Sequence, residues 1–321
     1  MFTEIFVVLG VIFLLSLLGY IVPMCIVKFS KPLDLKKRYG GGWAFITGGN
    51  SGIGEAFAKK VAKMGFNVAI LGQNEERLTK TATAINEINS QVLVKTIVAD
   101  LSGDAVKVTE QIVHQLEGLD ISILFFNAGY GVQELSSSPS ANLLRQFRSN
   151  IVTHQYLFQT LYPKLASRRI ESQEVATKRG AVLFTASCAA FIQFPLMAVY
   201  GATKAYLGHL GECLATEADY YGIDVLSIYP GDVNTRFWER LNQKVSPIIE
   251  KLSQSGDNVA DLALSSIGRV SRLDSGFQSV GLRIITKIID ANLIIALVKK
   301  VAPQMIKKIN FDSKEKENQA Q

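Results

Sequence analysis

Short apolar segments and amphipathic helical patterns alternate along most of this chain, and this alternation restricts its fold more than any other feature. The pattern predicts strands at residues 43–47, 67–71, 92–99, 121–125, 180–186 and 223–229. Helices are predicted between them, at residues 52–64, 74–86, 106–116, about 141–165 and 199–221. Apolar strands joined by helices form parallel sheets that are covered on both faces. We therefore expect a doubly wound α/β fold.

An uncharged apolar segment, residues 6–27, precedes the alternating region. About 20 apolar residues suffice for a helix to cross a bilayer, so residues 1–30 are predicted to be a membrane anchor. The alternatives are a cleaved signal peptide, which would begin with positive charge and have a shorter apolar core, and a buried core helix. Basic residues follow the segment and favour a cytosolic location for the rest of the chain. They are Lys28, Lys31, Lys36, Lys37 and Arg38.

The remaining chain divides by composition into further parts. Residues 31–42 end in three glycines and are predicted to be a linker, and residues 43–281 are predicted to be the folded domain. Residues 282–309 combine apolar runs with lysines, which is typical of an amphipathic helix on a membrane surface, and we expect a break near Pro303. A buried helix in the core or in a homodimer interface is the alternative. Residues 310–321 are polar and predicted to be disordered.

The composition excludes several other classes of function. The net charge is +6, but the basic residues crowd the two apolar ends, which favours a membrane surface over a nucleic acid as partner. The three cysteines contain no C-x-x-C pair, so they do not predict a disulfide framework. The histidines lack the spacing of metal ligands and are interpreted as ordinary helix residues; they are His114, His154 and His209. No metal site is predicted.

The glycine-rich stretch TGGNSGIG follows the first predicted strand and leads into a helix. Glycines at this point let the backbone turn tightly and approach a pyrophosphate, while the N-terminus of the helix attracts its negative charge. The alternative is a tight turn without a ligand. Because the stretch lies within a strand–helix–strand unit, it predicts a dinucleotide site. The residues concerned are Gly48, Asn50, Ser51, Gly52, Ile53 and Gly54.

Tyr200 and Lys204 are separated by four residues and therefore lie on one face of the predicted helix. Such a pair occurs by chance in many amphipathic helices, so its spacing alone does not indicate catalysis. The rest of the sequence decides, since the glycine stretch resembles the T-G-x-x-x-G-x-G fingerprint of the short-chain dehydrogenase/reductase family, which has a Rossmann fold. Further landmarks of that family follow in order: Asp100, Asn127, Ala128, Gly129, Asn150, Ser187, Tyr200, Lys204, Pro230, Gly231, Val233 and Thr235.

The resemblance implies a role for each of these residues. Tyr200 would exchange a proton with the substrate oxygen, while Lys204 would lower the pKa of Tyr200 and hold the nicotinamide ribose. Ser187 would hydrogen-bond the carbonyl or alcohol, and Asn150 would support a water that relays protons to Lys204. Asp100 would contact the adenine. The remaining landmarks, from Asn127 to Gly129 and from Pro230 to Thr235, would bind the cofactor.

Two departures from the family pattern affect these expectations. Phe126 replaces the first asparagine of the usual Asn-Asn-Ala-Gly, so the loop is expected to be held differently. Gln73 ends the second predicted strand, where an NAD enzyme would have an acidic residue for the ribose 2′-hydroxyl. The cofactor is therefore predicted to be NADP(H), with NAD not excluded. Arg77 either reaches a 2′-phosphate or is solvated.

The region after Thr235 is where family members build a substrate lid, and Phe237, Trp238 and Leu241 are its candidate lining residues. The whole layout is similar to the membrane-bound 17β-hydroxysteroid dehydrogenase / very-long-chain 3-oxoacyl-CoA reductase branch. This resemblance implies a lipid-like substrate, such as a 3-oxoacyl-CoA or a steroid, and an endoplasmic reticulum membrane with the catalytic domain facing the cytosol. The alternative is a non-catalytic nucleotide-binding subunit or scaffold of a membrane complex.

Overall fold

The strands form in the predicted places in the computed structural model, which describes residues 2–168, 178–237 and 253–320, with side chains up to residue 307. The main sheet contains β1 (Trp43–Thr47), β2 (Asn67–Gly72), β3 (Val94–Val98), β4 (Ile121–Phe126), β5 (Gly180–Thr185), β6 (Ile223–Pro230) and β9 (Arg272–Ser275). Its seven strands are all parallel, in the order β3-β2-β1-β4-β5-β6-β9. Two short strands, β7 (Val233–Asn234) and β8 (Gln254–Ser255), pair separately.

Helices cover both faces of this sheet, as the apolar character of its strands requires. One layer contains α3 (Gly52–Lys63), α4 (Glu75–Ile88) and α9 (Gly256–Ser266), and its core includes Phe57, Ile85 and Val259. The other contains α5 (Ala105–Gln115), α7 (Thr153–Ala166) and α8 (Ala198–Ala218), with Ile112, Leu161 and Leu214 in its core. The predicted doubly wound α/β fold is confirmed.

The order of the strands reverses between β1 and β4, because β2 and β3 lie on one side of β1 and β4 to β6 lie on the other. In open parallel sheets, such a reversal opens a crevice at the carboxyl ends of the strands, where ligands bind. The long predicted helix near this point is α6 (Ala141–Phe147) and α7 joined by a π-helical turn, Arg148–Val152. π-turns are frequent at functional sites.

The N-terminal helix α1 (Phe2–Phe29) is, among the described residues, the one helix long and apolar enough to cross a membrane. Residues 2–16 are exposed along the whole circumference of the helix. The second half of α1 contacts the domain, and Val27 is buried there. Gly19, Tyr20 and residues 270–274 at the outer strand β9 line a shared cavity of about 400 Å³.

Residues 31–42 are more than the predicted linker, since they contain a short helix, α2 (Leu35–Tyr39), that packs into the core. Leu35 and Tyr39 lie four residues apart on one face, and both are buried. The Tyr39 hydroxyl donates to Asp224 over 2.8 Å, and Arg38 pairs with the same carboxylate at 2.6 Å. The packed domain therefore begins before residue 43.

The C-terminal region contains α10 (Phe277–Ile288) and α11 (Ala291–Ala320). The expected break at Pro303 is absent, because the helix continues through this residue. A proline removes one backbone hydrogen bond and commonly bends a helix without ending it. The helix also includes residues 310–320, which were expected to be disordered; their lysines and glutamates, in the stretch KEKE, are good helix formers.

Candidate active site

A cavity of about 580 Å³ lies at the carboxyl ends of β1, β4, β5 and β6, where the reversal of strand order predicts a ligand site. Most of the predicted site residues line it. They are Gly48, Asn50, Ser51, Gly52, Ile53, Gln73, Asn127, Ala128, Gly129, Ser187, Tyr200, Lys204, Pro230, Gly231, Val233 and Thr235. Gly54, Asp100 and Asn150 do not line it, although each has a sequence neighbour that does, such as Ile53, Leu101 and Ser149.

The glycine loop between β1 and α3 requires its glycines for both conformation and space. Gly48 has a φ of 70°, and a Cβ there would lie 2.9 Å from the Cα of Ala128. Gly52 has a φ of 56°, and its Cβ would lie 2.9 Å from the methyl group of Thr235. A side chain on Gly54 would meet the carbonyl oxygen of Gly48, so this glycine permits close packing of the helix on the strand. The loop therefore brings bare backbone and a helix N-terminus to the cavity.

Gln73 follows β2 and donates a hydrogen bond from Nε2 to Asp100 Oδ1 over 2.6 Å. Asp100 also accepts from the backbone and hydroxyl of Ser102 and forms an ion pair with Arg145 at 3.3 Å. Burial alone would raise the pKa of Asp100, but the hydrogen bonds from Ser102 and the charge of Arg145 outweigh it and lower the pKa. The carboxylate is thus held ionised next to Gln73, which lines the polar end of the cavity together with Arg77.

Ser187, Tyr200 and Lys204 meet at the opposite part of the cavity. Ser187 follows β5 and caps a short 3₁₀ turn by accepting from the amide of Ala189. Burial raises the pKa of the Tyr200 hydroxyl, and a hydrogen bond with Ser187 opposes that shift. In the protein without a ligand, the phenol is therefore protonated at neutral pH.

Lys204 lies one helical turn after Tyr200, with its ammonium nitrogen 5.9 Å from the centre of the tyrosine ring. Burial lowers the pKa of Lys204 to about 8. The ammonium donates to the carbonyl oxygen of Thr185 over 2.7 Å, which directs it to the end of β5. A Cβ on Gly129 would lie 3.1 Å from this nitrogen, so the glycine leaves room for the lysine.

Asn150 is fully buried in the π-turn and uses its side chain to hold the backbone of Tyr130. Its Oδ1 accepts from the Tyr130 amide, and its Nδ2 donates to the Tyr130 carbonyl, both over 2.8 Å. Nδ2 also donates to the hydroxyl of Thr203 over 3.0 Å, on the same helix as Tyr200. Asn150 thus joins the loop after β4 to the helix that carries the tyrosine and the lysine.

The loop after β4 is fastened to the end of β1 by Thr47. The hydroxyl oxygen of Thr47 accepts from the amides of Asn127 and Ala128, over 2.9 and 3.0 Å. The side chain of Asn127 donates to the carbonyl of Thr47 over 3.1 Å and accepts from the hydroxyl of Thr185 over 3.1 Å. Three strand ends are therefore tied together beside the glycine loop.

His154, which was predicted to be an ordinary helix residue, also binds Thr47 at this point. Its Nε2 lies 3.1 Å from Thr47 Oγ1 and its Nδ1 lies 3.3 Å from the carbonyl oxygen of Asn150. Because a carbonyl oxygen only accepts, Nδ1 carries the proton and Nε2 accepts from the threonine. Phe126 stacks on Phe184 with ring centres 5.1 Å apart and meets the His154 ring edge-on. The signal that could have found this histidine is its position four residues after Asn150.

The loop after β6 is held from α10. The side-chain oxygen of Gln278 accepts from the amide of Asp232 over 2.6 Å, and the amide of Gly231 donates to the carbonyl of Ser275 over 2.9 Å. Gln278 was not predicted as a site residue, because it lies outside the sequence motifs described above. Val233, in β7, and Thr235 follow on the same wall of the cavity.

Apolar side chains complete the part of the cavity near Tyr200. Phe237, a candidate lid residue, packs against the tyrosine with ring centres 5.2 Å apart. Trp238 and Leu241, the other candidate lid residues, lie outside the described residues. Further apolar lining comes from Phe194, Pro195, Met197 and, on α11, Met305.

Comparisons with known proteins agree with this geometry. Residues 42–246 match the family model described as short chain dehydrogenase. The chain is 35% identical over 207 residues to the very-long-chain 3-oxooacyl-coA reductase let-767 of Caenorhabditis elegans, which covers 64% of each protein. The similarity thus spans just under two thirds of the length of that relative.

Two solved structures have a similar fold. The 7beta-hydroxysteroid dehydrogenase, studied for its stereoselectivity, superposes with a TM-score of 0.69 at 26% identity, covering 79% of this chain and 95% of the other. A short-chain dehydrogenase from Sphingobium yanoikuyae, in complex with NADPH, gives a TM-score of 0.62 at 25% identity, covering 73% and 86%. Every predicted site residue, from Gly48 to Thr235, lies within the region that the family model matches.

Proposed function

The chain belongs to the short-chain dehydrogenase family, and from this premise we propose that it is a membrane-anchored, NADP(H)-dependent oxidoreductase that interconverts a ketone and a secondary alcohol on a lipid-like substrate. The observation that carries the proposal is the meeting of Ser187, Tyr200 and Lys204 in the cavity that the glycine loop also lines. Acid–base side chains and a dinucleotide loop serve one reaction only when they share one cavity.

The residues of the cavity fit a nicotinamide dinucleotide. Side chains at Gly48 and Gly52 would collide with neighbouring residues, so the loop presents backbone groups and the N-terminus of α3 to a pyrophosphate. The volume of about 580 Å³ is in the range of ligand pockets. Gln73 and Asp100 would hold the adenosine end, and Lys204 the nicotinamide ribose. The bound cofactor would supply or accept the hydride.

Tyr200 would transfer the proton at the substrate oxygen. In the direction of ketone reduction, the phenol donates its proton to the carbonyl oxygen, and in the reverse direction the phenolate takes it from the alcohol. Burial raises the pKa of Tyr200, so the phenol carries the proton that ketone reduction requires. Ser187, which is hydrogen-bonded to the phenol, would orient the same oxygen.

Lys204 would stabilise the phenolate that remains after the proton has left. Its pKa of about 8 keeps most of the side chain charged at neutral pH, and its bond to Thr185 directs the charge toward the cavity. Asn150 would be a positioning residue. Its side chain holds the loop at Tyr130 against α8, the helix that carries Lys204. A proton relay from Lys204 through the Asn150 carbonyl would have to compete with His154, which already binds that oxygen.

NADP(H) is the cofactor that the polar end of the cavity favours. Gln73 occupies the position where a carboxylate would repel a 2′-phosphate, and Arg77 lines the same cavity with a positive charge. The short-chain dehydrogenase from Sphingobium yanoikuyae, which has a similar fold, is in complex with NADPH. Together these observations support NADP(H) over NAD(H).

A lipid-like substrate suits the apolar lining near Tyr200. The relative from Caenorhabditis elegans is a very-long-chain 3-oxooacyl-coA reductase and the structural neighbour is a hydroxysteroid dehydrogenase, so a 3-oxoacyl-CoA or a steroid is the proposed class. Helix α1 would anchor the chain in the endoplasmic reticulum membrane, with the basic residues from Lys28 to Arg38 and the domain in the cytosol.

The test is a turnover assay with the purified full chain in detergent micelles. NADPH oxidation is followed at saturating cofactor with a panel that includes 3-oxoacyl-CoA, 3-ketosteroid and 17-ketosteroid substrates, and NADH is compared at equal concentration. We expect turnover of at least one lipid ketone with NADPH, and its loss in Tyr200→Phe. Tight binding of NADPH without turnover of any ketone would refute the proposal and favour a non-catalytic nucleotide-binding subunit.

A further inference from the structure

Two apolar rows run side by side along α11, each with a spacing of four residues. The inner row is buried or half-buried against the protein: Ile294, Val298, Ala302 and Ile306. The outer row is exposed to between 39% and 54% although it is as apolar as the inner one: Leu293, Leu297, Val301 and Met305. Single apolar residues are common on protein surfaces, but a continuous exposed apolar row indicates a surface that contacts a membrane, a ligand or another protein.

The outer row ends at the proposed active site. Met305, its last member, lines the cavity that contains Tyr200 and Phe237. From Leu293 to Met305 the helix advances by about 18 Å, at 1.5 Å per residue. An apolar path therefore leads along the surface of the protein directly to the mouth of the cavity.

The positive charge of α11 indicates what kind of surface its outer row contacts. Residues 291–307 contain no aspartate or glutamate, whereas Lys299, Lys300 and Lys307 are exposed, and Lys300 lies in the row next to the outer row. An amphipathic helix with an apolar face and lysines at its border lies in the interface of a bilayer and is attracted by anionic headgroups.

The beginning of α11 is also close to the apolar helix α1. Lys287, near the end of α10, lies 3.4 Å from the hydroxyl of Ser16 and 5.6 Å from the ring centre of Tyr20. Residues 2–16 of α1 are exposed, and they measure about 22 Å, which is less than the hydrocarbon thickness of about 30 Å. If α1 spans a bilayer, the exposed part alone is too short to cross it. The bilayer must therefore also surround the second half of α1 and touch the part of the domain that contacts this helix.

From these contacts we propose that the outer row of α11 rests in the surface of the bilayer, and that a lipid chain enters the cavity over Met305. The evidence for the bilayer contact is the exposed outer row, the exposed lysines of α11 and the neighbouring helix α1. The entry route rests in addition on the proposed lipid ketone substrate. The protein would thus take its substrate from the membrane without passing it through water.

The bilayer contact is tested with the full chain in vesicles of brominated phosphatidylcholine and phosphatidylserine. Bromine quenches tryptophan only at close range, so Val301→Trp should lose more fluorescence than the wild type does. The matched control is Tyr220→Trp, which replaces a residue that is 88% exposed in the turn before β6, at the end of the sheet remote from the cavity. No additional quenching of Val301→Trp, or equal quenching of both variants, would overturn the contact.

The entry route is tested with the double variant Leu297→Glu/Val301→Glu in the same vesicles. We expect kcat/KM for a long-chain ketone dissolved in the bilayer to fall at least tenfold, while that for a short water-soluble ketone stays within twofold of the wild type. Tyr220→Glu should change neither value. Equal losses on both ketones would overturn the route. A wild type without ketone turnover would refute the proposed function and the route together, whereas the quenching experiment decides the bilayer contact independently.

Discussion

Replacing His154 by glutamine should remove a specific part of the pH dependence of stability. The imidazole is 1% exposed and lies between the hydroxyl of Thr47 and the carbonyl of Asn150. Burial lowers the pKa of His154 to about 4; the hydrogen bond to Asn150 opposes this shift, and the charge of Lys204 adds to it. The folded protein therefore keeps the ring neutral at a pH where an unfolded chain would protonate it.

The size and the sign of the effect follow from this shift. The ordinary pKa of about 6.5 applies to the unfolded chain, so between pH 6.5 and pH 4 the unfolded state binds more protons than the folded state. Stability accordingly falls as the pH is lowered through this window. At about 1.4 kcal/mol per pKa unit, the loss that His154 contributes amounts to about 3 kcal/mol by pH 4.

Urea unfolding of the full chain in detergent micelles, followed by circular dichroism at several pH values, measures this contribution. His154→Gln retains a donor and an acceptor but does not titrate, so the gap between its free energy of unfolding and that of the wild type should shrink by about 3 kcal/mol from pH 7 to pH 4. The matched control is His114→Gln, at an exposed position on α5, which should follow the wild type. Parallel decreases in the wild type and in His154→Gln would refute the assignment of a buried neutral histidine.

Three further predictions concern the proposed chemistry. Tyr200→Phe should bind NADPH as the wild type does but lose at least ~10²-fold in kcat, because no general acid remains; steady-state kinetics and a nucleotide titration check this, and near-normal turnover would exclude the tyrosine from the mechanism. Ketone reduction should slow above pH 8, because the ammonium of Lys204, whose pKa is about 8, then loses its proton; a flat profile of kcat/KM between pH 7 and 9.5 would contradict this. Gln73→Asp should lower the ratio of kcat/KM for NADPH to that for NADH, since the new carboxylate repels a 2′-phosphate and lies beside Asp100; a wild type that already prefers NADH would show the cofactor assignment to be wrong.

The sheet and its covering helices could be predicted because their signals are local. The strands β1, β4 and β5 are continuous apolar runs, and Gly48 and Gly52 mark the turn into α3, so composition and spacing suffice. The family resemblance also selects residues that the fold brings to one cavity, such as Ser187 and Tyr200. Ser187 lies at the end of a strand, which a sequence pattern locates well, and Tyr200 lies on the helix that follows.

Features that depend on contacts distant in the sequence could not be predicted. Tyr39 lies in a segment that reads as a polar linker, and its burial becomes evident only when the fold places Asp224 beside it. His154 has no motif, and its role arises only because Thr47 lies 107 positions away in sequence and 3.1 Å away in space. Met305 reaches the cavity from the last helix by the same kind of tertiary contact.

The position of α1 beside β9 places a helix next to an otherwise open strand edge. Strand β9 is the outer member of the sheet, and a free strand edge invites pairing with other chains. Gly19 and Tyr20 of α1 lie across a cavity from residues 270–274, so the helix occupies the space beside this strand. A form of the chain without α1 would open that space, and we expect it to aggregate more readily than the full chain unless another surface covers the strand.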